Sequence, residues 1–78
     1  MQDEITLDML KTGDFARVIR VECNGELNNR IYALGITENS VINKVFKAPF
    51  GDPVAYSVKN TLIALRNKDC KNIIVAPI

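Results

Sequence analysis

Side chains able to do covalent or metal chemistry are scarce in this chain: two cysteines, Cys23 and Cys70, and no histidine. Without imidazole the commonest general base and metal ligand is missing, and triad or zinc-hydrolase mechanisms lose their usual parts. The cysteines stand far apart and neither belongs to a CxxC pair, so a soft-metal site would need the fold to unite both thiolates with stray carboxylates. Packing as small apolar side chains is what free cysteine does readily. The glycines, at 13, 25, 35 and 51, make neither GxGxxG nor GxxxxGK[ST], so no phosphate cradle is encoded. These residue types point away from catalysis, a bound cofactor or a metal, and toward binding.

The strongest candidate for recognition is Ala48-Pro49-Phe50-Gly51-Asp52-Pro53. Each proline fixes φ and removes a backbone donor, and the residues before them, Ala48 and Asp52, are pushed toward extended backbone. Pro49 in second place and Gly51 in fourth suit a type I turn that aims Phe50 outward. Phe50 then reads either as a lid over one end of the core or as an exposed anchor for a protein partner. Asp52 is expected to accept local backbone N–H bonds, as turn aspartates do. Arg66 reads as a surface or ion-pairing residue. Lys44, Phe46, Lys47 and Phe50 faintly resemble the basic stripe with interleaved aromatics of a nucleic-acid-binding barrel. A net charge of +1 with three Phe, two Tyr and no Trp argues against that partner.

Short elements must position these residues. Thr6 to Leu10 reads as a single helical turn capped by Thr6 and leading into a bend at Gly13-Asp14. Phe15 to Cys23 reads as a strand whose alternation slips near Val18-Ile19, as at a bulge, with Ala16, Val18 and Val21 in the core. Leu27, Ile31 and Leu34 recur at i, i+4 and i+7 and predict a helix over Glu26 to Leu34, with Glu26 four residues before Arg30. Gly35 suits the left-handed position after that helix, with Ile36 set to contact Ile31 in a Schellman ending. After a turn at Thr37 to Asn39, Ser40 to Lys47 forms a second strand, neither of whose faces is purely apolar. Val54 to Val58 and Leu62 to Leu65 alternate around Lys59-Asn60 and predict a β-hairpin. Asn67 caps a short turn with Lys68, Asp69 and Cys70, and Ile73 to Ala76 makes the last strand. The expected fold is mainly β: a small five-stranded SH3-like barrel, one short helix after the first strand and a helical turn before the last. A twisted α+β sheet is the alternative.

The 78 residues suit one domain, residues 1–78, with a thin core. No run approaches the roughly 18 apolar residues that a membrane span needs, and the acidic start, Met1-Gln2-Asp3-Glu4, is unlike a signal peptide. A cytoplasmic protein with reduced thiols is expected. Residues 1–39 hold seven acids and four bases, whereas residues 40–78 hold two acids and six bases, so interleaved halves would leave one acidic and one basic face. Edge strands leave self-association open.

Taken in order, Leu7 to Gly13 as Leu-x-x-Leu-Lys-x-Gly, Ala16-Arg17-Val18, Leu34-Gly35-Ile36-Thr37, Ala48-Pro49-x-Gly51-Asp52-Pro53, and Ala64-Leu65-Arg66 before Asp69 resemble the ferrous-iron transport accessory family called FeoA. The likeness covers essentially the whole chain. It implies an SH3-like barrel without enzyme activity that supports ferrous-iron uptake by docking to a membrane permease with a cytosolic G-protein domain. Leu34, Gly35, Phe50, Gly51, Asp52 and Pro53 would then shape or form the contact surface. Asn39 and Asn60 stand where the family favours Gly, and Cys70 where it favours Ala; Asn tolerates left-handed φ best among residues with a side chain. A related expectation is the SH3-like regulatory module that follows a helix-turn-helix in metal-dependent repressors; with the sequence starting at Met1, a solitary protein is expected instead.

Overall fold

The computed structural model describes residues 3–78, so Met1 and Gln2 of the acidic start lie outside it. Six strands form one antiparallel sheet: β1 (Ile5–Thr6), β2 (Phe15–Val21), β3 (Val41–Lys47), β4 (Val54–Val58), β5 (Thr61–Leu65) and β6 (Ile73–Pro77), in the spatial order β1-β6-β2-β3-β4-β5. The sheet is open, with β1 and β5 at its edges. The expected five strands are therefore six. The additional one is the two-residue β1, too short to show alternation, and its ladder to Ile74 and Val75 of β6 makes it a strand.

Thr6 precedes a 3-10 turn, Leu7–Met9, but its hydroxyl caps no backbone N–H there. Leu7 and Leu10 from this segment are buried and close one end of the core. In β2 the pairing with β6 shifts between Val18 and Arg20, so Ile19 is the bulge that the broken alternation predicted. Ala16 and Val18 are fully buried, and Val21 packs half-buried at the margin. A second shift, between Lys44 and Phe46 in β3, explains why neither face of that strand is purely apolar. Lys44 points inward, and the extra residue turns Phe46 outward.

Helix α1 (Gly25–Ala33) ends as its sequence specifies. Gly35 takes φ +93°, its N–H donates to the Tyr32 carbonyl at 2.9 Å, and the Ile36 N–H donates to the Ile31 carbonyl at 3.3 Å. That is the Schellman pair of bonds, with Ile31 and Ile36 both in the core. Lys59 and Asn60 both have positive φ, as a two-residue type I′ hairpin turn requires, and Asn39 also does. The short helix α2 (Asn67–Cys70) buries Cys70 beneath the sheet.

Candidate functional site

At the Phe50 turn the Gly51 N–H donates to the Ala48 carbonyl at 2.7 Å, and the Ala48 N–H donates to the Pro53 carbonyl at 3.0 Å. The Asp52–Pro53 peptide is cis. Phe50 lies outside the positive-φ region that a type II turn would demand of it, which leaves the type I form expected from Pro49. Its side chain is 99% exposed, so Phe50 covers nothing and the lid reading falls.

Asp52 also departs from expectation, because it does not tie its own loop together. Its Oδ1 accepts the backbone N–H of Asn67 at 2.9 Å, at the start of α2, while the Asn67 amide donates to the Gly51 carbonyl at 2.9 Å. Asn67 is therefore the capped residue and Asp52 the cap, supplied from across the fold. Arg66 stands 3.9 Å from the other Asp52 oxygen, an exposed and weak ion pair.

Beside this turn lies an apolar groove of about 250 Å³ lined by Phe46, Ala48, Pro53, Ala55, Leu62 and Ala64, among others. Register explains it. Phe46, Ala55 and Ala64 form one cross-strand row over β3, β4 and β5, and the two small alanines leave a trough between exposed Phe46 and exposed Leu62. Leu34 and Gly35 lie elsewhere. A Cβ on Gly35 would meet Lys59 Cδ at 3.5 Å, so this corner adjoins the β4–β5 turn, whereas the Phe50 turn enters β4 at its opposite end. The four residue steps of β4 separate the two by roughly 13 Å. Phe50 to Pro53 thus share one end of the sheet with the groove, and Leu34-Gly35 form a second corner.

The interior holds a polar cluster. Lys44 is buried and its Nζ donates to the carbonyls of Leu10 at 2.7 Å and Asp8 at 3.3 Å. Burial, with help from the charge of Lys47, holds its ammonium below the usual lysine range. Lys44 is therefore withdrawn from the basic stripe suggested by the sequence. The Cys70 thiol donates to the Tyr56 hydroxyl at 3.6 Å. Burial pushes that thiol up to about 11 and the Tyr56 phenol above its ordinary range. Both side chains are thus neutral packing groups near neutral pH. Cys23, partly exposed, is raised by burial and by Asp69. Among the described residues no three of Cys, Asp or Glu gather as metal ligands, and no helix is long and apolar enough to cross a membrane.

The FeoA domain model matches residues 5–77, from the first strand through the last. The chain belongs to the FeoA family. Over 67 residues, 86% of its length, it is 38% identical to the Fe(2+) transport protein A/Fe(2+) transporter FeoB fusion protein of Porphyromonas gingivalis, of which it spans 8%. Iron(II) transport protein A from Clostridium thermocellum superposes with a TM-score of 0.91 at 32% identity, over 95% of this chain and 46% of that one. The zinc complex of FeoA from Stenotrophomonas maltophilia, described as a prokaryotic SH3 domain protein, gives 0.80 at 29% identity, over 91% of this chain and 88% of that one. A manganese-dependent transcriptional repressor, at 15% identity and a TM-score of 0.87, shares the fold and shows no more than that.

Sequence reasoning within the FeoA frame missed the groove and the Tyr56–Cys70 contact. The groove had a legible signal in the small residues Ala55 and Ala64 between Phe46 and Leu62, but reading it required the bulge at Val45. The buried pair had none, since nothing in the spacing of Tyr56 and Cys70 brings them together.

Proposed function

We propose that this chain is a non-enzymatic, cytoplasmic SH3-like adaptor that supports ferrous-iron uptake by docking to the membrane iron permease. The carrying observation is the Porphyromonas gingivalis relative, in which a segment 38% identical to this chain is fused to the transporter FeoB. Fusion holds two modules at high effective concentration, an arrangement that favours an association weak when the modules are separate. The Phe50 to Pro53 turn forms the leading part of the contact surface and Leu34-Gly35 shapes its second corner. A fully exposed aromatic ring on a rigid turn loses little conformational entropy on burial, which suits an anchor.

The test is retention of the tagged chain on permease-containing membranes, with and without guanine nucleotide. Wild type should be retained, and Phe50→Asp should be released at least tenfold more readily while its unfolding midpoint stays unchanged. No retention under any nucleotide condition overturns the adaptor reading. Retention untouched by Phe50→Asp removes the turn from the interface.

A further inference from the structure

We propose that the β5 edge of the sheet receives an extended acidic peptide segment as an added antiparallel strand, with its apolar side chains seated in the groove beside Leu62. In the two-residue hairpin Val58 pairs with Thr61, and antiparallel geometry then alternates along the strand. Thr61, Ile63 and Leu65 exchange hydrogen bonds with β4, so the N–H and C=O groups of Leu62 and Ala64 point away from it. Among the described residues no other segment bonds to Leu62 or Ala64. Natural edges are blunted by charge, proline or a covering element. The run Thr61-Leu62-Ile63-Ala64-Leu65 carries none of these, and Leu62 is 59% exposed.

The charge around this edge selects the occupant. Lys59 and Arg66 flank β5, Lys47 ends β3 next to the groove, and the one carboxylate of the β3–β5 region is Asp52, already engaged by Asn67 and Arg66. An acidic strand is attracted there. A second copy is not, because pairing β5 with itself about Ile63 brings Lys59 of each copy beside Arg66 of the other. Residues opposite Leu62 and Ala64 in an added strand project on the face of those side chains and enter the trough over Ala55 and Ala64. Main-chain bonds then hold the segment while groove and charge choose its sequence. The proposal concerns the chemistry of the bound strand and stands apart from Phe50 and from any permease.

The probe is a dye-labelled synthetic peptide alternating valine with glutamate, compared with one alternating valine with lysine, by fluorescence anisotropy and amide exchange followed by NMR. The glutamate peptide should bind at least tenfold tighter, weaken as salt rises, and slow exchange of the Leu62 and Ala64 amides at least tenfold. Leu62→Glu and, separately, Lys59→Glu should each weaken it severalfold, on surface positions that leave the fold intact. Equal binding of the two peptides, Leu62 and Ala64 amides already protected in the free protein, or shifts mapping to another edge would each overturn the proposal. So would concentration-dependent shifts at β5 without peptide, since the occupant would then be a second copy.

Discussion

Cys70 shows how one side chain's environment becomes a property of the whole fold. Its thiol is fully buried against Tyr56, and burial raises it from 9.0 to about 11. The folded state therefore holds this proton more tightly than the unfolded chain does. That contribution is complete below pH 9 and is lost as pH climbs through about 11. Tyr56 acts in the same direction at higher pH, whereas buried Lys44, whose charged form is disfavoured, acts against both. Between pH 8 and pH 10.5 wild type should lose on the order of 2 kcal/mol more stability in urea unfolding than Cys70→Ala. Equal losses would show that the thiol titrates at the same pH in the folded and the unfolded chain, so that burial does not hold its proton. Asp52 is the second residue with a long reach. Asp52→Ala removes the cap on Asn67 and should cost about 1 kcal/mol, read as a lower urea midpoint. The same change in a chain whose α2 amides already exchange freely would cost nothing.

Among the elements, those legible in the sequence were the ones specified by near neighbours. The end of α1 was readable because Gly35 and Ile36 meet partners within five residues, and the Ile19 bulge because it interrupts a visible alternation. The cap on α2 was not, since Asp52 and Asn67 lie on different elements and local spacing gives Asn67 the capping role. The β4–β5 hairpin falls between these cases: Asn60 was expected to take positive φ, but Lys59 does so as well. A lysine held in the left-handed region costs roughly 1 kcal/mol, and type I′ turns favour Asn-Gly. The double substitution Lys59→Asn and Asn60→Gly should therefore stabilise the chain by about 1 kcal/mol in thermal or urea unfolding. A loss of stability would mean that the Lys59 stem, packed beside Gly35, contributes more than its backbone strain removes.

At the scale of the molecule, the sheet order decides where the unequal charges of the two halves end up. β6, the last strand made, inserts between β1 and β2, so the halves interleave there, while β3, β4 and β5 remain together as one end built from the basic half. The acids Asp14, Glu22 and Glu26 fall on the segments around β2 and α1, where Glu22 and Glu4 hold Arg20 at 2.6 and 3.0 Å. Lys47, Lys59 and Arg66 fall on the other end. The charge asymmetry was visible in the sequence; its direction in space depended on β6 and on the burial of Lys44, neither of which local pattern reveals. Such a dipolar molecule meets an anionic partner basic end first, and steering of this kind acts on the association rate more than on the final affinity. With permease in nanodiscs, Lys47→Glu combined with Lys59→Glu should slow association several-fold at low salt. The difference should vanish at high salt, where exposed charges are screened within a few ångströms. Surface changes of this kind should leave unfolding within about 0.5 kcal/mol of wild type. Reversal of Asp14 and Glu26 to lysine provides the contrast: an equal slowing there, or a double-variant effect that persists at high salt, would show that charge does not orient this chain toward its partner.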